Sequence, residues 1–340
     1  MLSLETRLLI RTVKKNIDHL VHLLLDIPLL QWPKLHFTTG HTAVQQNLFS
    51  DKIPPGAWDS HMHVTDPQRY PLATDAQYTP KPHSLTDALE FETSIGLRNI
   101  VLVQPSIYGT DNSCMLVALM ALGPQHARAV VTFDPETINH STLEEWHKLG
   151  VRGVRVNTQS VGRDMGEEEL IETLQKYAEV IQPYKWVLQL YVLLRMAIVL
   201  EKIVPELGVR VCVDHFGCPD LKGTLSSTET ETECERFNDP YVLPGFRSLV
   251  NLLREGNTYV KLSAPYRISS DRMLSDLESV AKELLRVGGM NRAVFASDWP
   301  HTRFEGLDIR PFMEVLLGWC GNDEALIERV FRGNAETLWG

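Results

Sequence analysis

The stretch AWDSHMHV, residues 57–64, opens a pattern that continues to the end of the chain. From Ala57 onward, short runs rich in Val, Ile and Leu alternate with longer segments of helical period, which is how a parallel sheet with crossover helices is written. Seven further strands are read at residues 99–104, 128–133, 151–157, 185–192, 209–214, 258–263 and 293–297. Helical segments lie between them, among them 85–95, 167–181, 195–207 and 271–287. Several are ended by Gly96, Gly150, Gly208 or Gly288, since glycine accepts the left-handed turn needed just past a helix. Eight strand–helix repeats match a closed (β/α)8 TIM barrel of the α/β class better than an open doubly wound sheet, and no G-x-G-x-x-G follows the first strand. The barrel domain is read as 51–340, with no linker rich in Pro, Gly or Ser dividing residues 57–340. The low-complexity stretch 224–235 reads as a solvated loop after the sixth strand, placed where a lid could also lie.

Residues 1–50 form a separate N-terminal helical extension. Five basic residues (Arg7, Arg11, Lys14, Lys15, Lys34) stand there against three acidic ones (Glu5, Asp18, Asp26), although the whole chain carries −10. Leu8, Leu9, Val13, Ile17, Leu20, Val21, Leu24 and Leu25 recur at helical spacing, an amphipathic helix ending before Pro28. Such a helix either packs on the main domain or serves as a mitochondrial targeting peptide. Glu5 and Asp18 weigh against the second reading, because those peptides are poor in acids.

Composition excludes several classes of partner. With 33 Lys and Arg against 43 Asp and Glu, the chain lacks the clustered cations that track phosphates, so no nucleic-acid partner is expected. The longest apolar stretch, 186–200, is interrupted by Gln189 and Arg195 and falls short of the ~20 residues that cross a bilayer, so no membrane partner is expected either. Five scattered cysteines without a C-x-x-C pair suggest neither a disulfide framework nor a thiolate zinc site, and a cytoplasmic location fits them. A homo-oligomer is left open.

Polar residues gather at the carboxyl ends of the strands, where barrel enzymes build their sites. The first strand offers Asp59, His61 and His63, and two-residue spacing puts them on one side facing the mouth. His215 ends the sixth strand and Asp298 the eighth, where Pro300 stops the strand. The first and eighth strands of a closed barrel are neighbours, so three imidazoles and a carboxylate are expected to converge. Asp214 has the opposite parity to His215 and is assigned a structural role. Ser106, Tyr108, Arg155, Asn157, Gln189, Tyr191, Tyr266 and Arg267 are expected to ring the mouth as substrate contacts, and Arg152, of opposite parity to Arg155, to face the helices. Two guanidiniums over a mouth in an acidic protein suggest an anionic small-molecule substrate, since each can grip a carboxylate through two parallel hydrogen bonds. The bland alternative pairs each Arg with a nearby Asp or Glu.

The blocks WDSHMHV (58–64), VQPSIYGTDN (103–112), GVRGVRVN (150–157), VDHFG (213–217) and ASDWPHT (296–302) resemble, in that order, the amidohydrolase superfamily. The branch they resemble is the amidohydrolase-related, metallo-dependent one that includes 2-pyrone-4,6-dicarboxylate hydrolase and sugar or muconolactone lactonases. The resemblance runs from about Trp58 to Trp339. It implies a (β/α)8 barrel, lactone hydrolysis, and His61, His63, His215 and Asp298 at the reacting centre. It also implies Tyr78, Ser106, Arg155, Tyr191 and Arg267 as substrate contacts. One departure concerns a further arginine a few residues beyond the counterpart of Arg155: Ser160 and Val161 stand there, with Arg163 nearby.

The leading expectation is a hydrolase in which Asp298 takes a proton from water while the histidines, with or without a metal, polarise a lactone carbonyl. A carboxylate of ordinary pKa needs either a low-dielectric pocket or metal-acidified water to do this at neutral pH. At most one ion, Zn2+ on His61, His63, His215 and Asp298, is expected, because the fourth and fifth strands end in Asn157 and Tyr191 rather than in further ligands; metal-free catalysis is equally open. A zinc-dependent decarboxylase and an inactive binding barrel are the rival readings.

Overall fold

Eight short runs of β-branched and apolar residues form eight parallel strands: β1 (Trp58–Met62), β2 (Asn99–Val103), β3 (Ala127–Val131), β4 (Val151–Asn157), β5 (Val187–Tyr191), β6 (Arg210–Val213), β7 (Thr258–Leu262) and β8 (Ala293–Phe295). They follow one another in chain order around a single sheet. β8 meets β1 through Asp298 N–H to His61 O (2.9 Å) and His63 N–H to Trp299 O (2.8 Å), which makes the sheet a (β/α)8 barrel. The computed structural model describes Phe49 and residues 51–162, 165–221 and 239–340. The helical extension, apart from Phe49, and also Arg163, Cys234 and the 224–235 loop, lie outside the described residues.

Among the described residues at least one helix follows each strand, the longest after each being α1 (Leu85–Ile95), α2 (Ser113–Leu122), α3 (His140–Leu149), α4 (Glu167–Ile181), α5 (Ala197–Ile203), α6 (Phe246–Glu255), α7 (Glu278–Gly288) and α8 (Arg310–Trp319). α1 starts on a capping box between Ser84 and Asp87 and stops at Gly96 with φ 84°, as the glycine reading expects. Two helices are shorter than their periodicity predicts. Pro205 cannot donate to the carbonyl four residues back, so α5 closes at Ile203 and passes into the 3-10 turn Val204–Glu206. Asp271 captures the N–H groups of Met273 and Ser275, and Asp276 captures that of Ser270, so the chain turns there and α7 begins only at Glu278. Gly288 is the last residue of α7, and Gly289 after it keeps right-handed angles, so no left-handed glycine ends this helix.

The barrel interior is apolar at its lower end. Val101, Val130, Val187, Cys212, Tyr259 and Val294 pack there with Trp58, and the carboxyl-terminal helix Asn334–Trp339 closes the floor with Leu338 and Trp339. Gly153 of β4 belongs to this layer, where a Cβ would stand 2.8 Å from Val187 O. Trp339 is tied in by its ring N–H to Ser60 Oγ (3.2 Å) and by its carbonyl, which accepts from Arg128 Nε (3.0 Å). Arg152 points outward and caps α3 at His147 O (2.8 Å), as its parity predicts.

Candidate active site

β1 breaks the alternation that its sequence suggests. Its register against β2 shifts between Asp59 and Met62, and this bulge lets Ser60 meet the floor tryptophan while His61, the next residue, also turns inward. Asp59 therefore does not join the histidines. Its carboxylate accepts from the N–H groups of His61 (2.9 Å) and Ser297 (3.0 Å) and from the Ser297 hydroxyl, next to the buried Glu92 of α1. It fastens β8 to β1, and pairing of β8 ends at Phe295, ahead of Pro300.

Non-glycine residues in left-handed backbone turn the other two central side chains into the mouth. His215 (φ 51°) follows the end of β6, and Asp298 (φ 61°) follows β8. Such conformations cost of order 1–3 kcal/mol each and persist where surrounding structure holds them. Asp214 keeps the inward parity of Cys212, and His215 doubles back beside it, so both enter the site. The structural role assigned to Asp214 is corrected by its contacts: Oδ1 lies 3.4 Å from His61 Nδ1 and 3.3 Å from Lys261 Nζ.

The four predicted central residues converge on one carboxylate oxygen. Asp298 Oδ1 lies 3.6 Å from His61 Nε2, 3.7 Å from His63 Nε2 and 3.9 Å from His215 Nε2, and the first two nitrogens are 3.3 Å apart. The other oxygen, Oδ2, accepts from Tyr266 OH (2.7 Å) and Arg267 Nε (2.8 Å), which fixes the carboxylate with Oδ1 toward the imidazoles. His63 Nδ1 meets Val103 O at 2.7 Å; a carbonyl can only accept, so Nδ1 carries a proton, and in the neutral ring Nε2 is then the acceptor. His215 Nδ1 meets Ser263 Oγ at 2.8 Å.

Beneath them runs a buried polar layer that the sequence reading largely missed. Lys261, fully buried on β7, lies 3.3 Å from His61 Nδ1 and 5.4 Å from the centroid of Trp339. Asp214 Oδ2 accepts from Gln189 Nε2 (3.0 Å) and Arg155 Nη2 (3.2 Å). The available signal was Lys261 itself, a cation amid the apolar residues of a core strand. Each expected anion-binding arginine already faces a carboxylate, Arg155 with Asp214 and Arg267 with Asp298, and both also line the cleft.

These neighbours set the charges. Burial and the Lys261 ammonium hold His61 well below its ordinary 6.5, and burial pushes His215 down to about 4, so both are neutral at pH 7. Burial alone would raise Asp298, yet the Arg267 guanidinium outweighs it and holds the carboxyl well below the usual range. The Lys261 ammonium does the same for Asp214 against its burial.

Above the imidazoles opens a cleft. His63, His215 and Asp298 form its base, with Tyr78, Ser106, Arg155, Tyr191 and Arg267 around it, as expected. Four expected contacts do not line it, the fourth being Tyr266, whose hydroxyl donates to Asp298 Oδ2. Tyr108 is buried with its hydroxyl accepting from Asp66 N–H (2.8 Å), Gln189 is taken up by Asp214, and the Asn157 amide donates to Ser160 Oγ. Gln159, Ser160, Thr302 and Arg303 line it without having been foreseen.

The donor set fits a divalent ion. His61, His63 and Asp298 form one group, and His61, Asp214 and His215 another, in which one ligand atom from each residue lies within 4.8 Å of the others. Ligands about 2.0–2.2 Å from a tetrahedral ion stand roughly 3.4 Å apart, close to the 3.3–3.7 Å separations in the first group. Among the described residues, Cys114, Cys212, Cys218 and Cys320 are free thiols that belong to neither group, and no helix is long and apolar enough to cross a membrane.

Comparison with known proteins agrees with this geometry. A family model described as amidohydrolase matches residues 58–340. The chain is 27% identical over 299 residues to 4-sulfomuconolactone hydrolase of Hydrogenophaga intermedia, covering 85% of this chain and 90% of that protein. It is 28% identical over 261 residues to 2-pyrone-4,6-dicarboxylate hydrolase of Comamonas testosteroni, covering 74% and 78%. A solved structure from Pseudomonas putida, provisionally assigned as a 2-pyrone-4,6-dicarboxylic acid hydrolase, superposes with a TM-score of 0.67 at 28% identity, covering 85% of this chain and 98% of that one.

Proposed function

The chain belongs to the amidohydrolase family, and from that premise we propose that it opens a small carboxylated lactone by attack of water, with Asp298 as general base. The observation that carries the proposal is Asp298 Oδ1, ringed by three imidazole nitrogens at 3.6–3.9 Å at the base of a cleft that arginines line. The names of the curated relatives support it, since they describe hydrolysis of a sulfonated muconolactone and of a pyrone dicarboxylate.

In this reading Asp298 Oδ1 accepts a proton as water oxygen bonds to the lactone carbonyl carbon. The ring C–O bond breaks, and the proton passes to the leaving oxygen. Tyr266 and Arg267 keep Oδ2 occupied, so the base has one working oxygen and one orientation. Arg155 and Arg267 face the substrate's carboxylate with the guanidinium edges that their own partners leave over.

His61, His63 and Asp298 would hold a divalent ion such as Zn2+, with His215 beside them. When bound, such an ion supplies Lewis acidity, which acidifies water and polarises a carbonyl. The depressed basicity of Asp298 favours this assisted form over a metal-free one, because so weak a base removes a proton poorly from plain water. A panel of carboxylated lactones, read by product mass and run with and without chelator, tests the proposal. Products one water heavier than substrate, with turnover lost on chelation and regained with zinc, are expected. Loss of carbon dioxide from a substrate would replace hydrolysis with decarboxylation, and turnover indifferent to chelator would remove the ion.

A further inference from the structure

We infer that Arg303 selects a substrate bearing a second anionic group, which it receives at the rim of the cleft. The inference rests on the lactone reading and adds to it the residue that receives a second acidic group, such as the substrates named for the relatives carry. Three guanidiniums line the cleft. Two are matched in place, Arg155 by Asp214 at 3.2 Å and Arg267 by Asp298 at 2.8 Å. Arg303 differs in each respect. It is exposed, and among the described residues it enters no ion pair. Its guanidinium carbon lies 4.6 Å from the centroid of the Tyr78 ring.

That ring attracts the cation without neutralising it and leaves the planar edge of the guanidinium to a ligand. Position and charge balance lead to the same residue. Lys261, Arg155, Arg267 and Arg303 surround the site, while Asp214 and Asp298 are the carboxylates in contact with the imidazoles. A protein of net charge −10 thus concentrates surplus cation at one cleft. Lys261 is fully buried beneath His61, so the surplus that a ligand can meet is on Arg303. On the β4 side the same cleft presents the neutral Gln159 and Ser160.

Two measurements test this. Calorimetry compares isophthalate with benzoate, and steady-state kinetics compares a dicarboxylated lactone with its monocarboxylated counterpart. The native protein is expected to prefer the diacid in both. Arg303→Ala is expected to reduce that preference roughly 10- to 100-fold, the value of a charge-assisted hydrogen-bonded contact, through KM rather than kcat. Arg303→Lys should recover part of it, because the charge returns without the fork. An Arg303→Ala protein that keeps the full preference, or a native protein without one, overturns the inference. Failure of the lactone reading gives a different result: no lactone is opened, while the isophthalate preference and its dependence on Arg303 persist.

Discussion

The two ends of the barrel interior obey different rules. At the floor, Val101, Val130, Val187, Tyr259 and Val294 point inward, with one register shift where Val130 meets Gly153, and the tryptophan side chains of Trp58 and Trp339 fill the remaining space. At the mouth the regular spacing gives way. β1 bulges, His215 and Asp298 take left-handed angles, as do Phe216, Cys218 and Ala264 nearby, and the apolar layer yields to Lys261, Asp214, Gln189 and Arg155. The floor is stabilised by burial of apolar surface and tolerates volume-conserving change. The mouth spends part of that stability on buried charges and strained backbone, which hold three imidazoles and a carboxylate about one point.

The sharpest way to break this contrast is to remove a charge from the mouth. Lys261→Met deprives Asp214 of a partner at 3.3 Å in a fully buried site. Breaking such a pair is expected to cost about 3–5 kcal/mol, with kcat down at least tenfold as His61 loses a neighbour that orients it. Chemical denaturation and steady-state kinetics read both effects, and a variant as stable and as active as the parent would reduce the polar layer to filler.

Acid tests the same layer more gently. His61 is held well below 6.5 and His215 at about 4, both chiefly by burial. Between pH 6.5 and 4 the unfolded chain therefore binds more protons than the folded one, and stability falls as pH is lowered through that window. For His215 alone the loss amounts to roughly 3 kcal/mol. The depressed carboxyls of Asp214 and Asp298 act with the same sign at lower pH. Burial raises the carboxyls of Asp59 and Glu92, which act with the opposite sign, so the imidazoles are read in a Glu92→Gln background, where a denaturation midpoint flat from pH 7 to pH 4 would contradict their burial in neutral form.

The smallest effect is expected at the floor. Val294→Ala, at a fully buried position, should lower stability by about 1–3 kcal/mol through lost burial and a small cavity. Turnover should stay within about twofold. A large loss of kcat there would mean that the ends are not separable.

The same boundary explains what could be read from the sequence. All eight strands were legible, because alternation and β-branched runs are local properties. So were His61, His63, His215 and Asp298, since polar residues at the ends of apolar strands stand out. Parity arguments failed where the backbone left the ladder: the bulge sent Asp59 to the helix side, and the left-handed His215 turned in beside Asp214, which the regular alternation had already pointed inward. Tyr108 was misread because the 3-10 turn Ser106–Tyr108 carries its hydroxyl to Asp66 N–H instead of the cleft. The partners of Arg155 and Arg267 are set by contacts 59 and 31 residues distant in sequence, which no local pattern encodes.

The turnover of Asp298→Asn on a carboxylated lactone is the most direct measurement, with product mass as readout and the denaturation midpoint as a check on folding. The amide keeps the shape but cannot take a proton, so kcat should fall by about 10^3-fold or more in a protein that still folds. Hydrolysis by that variant at near the native rate would contradict the central assignment.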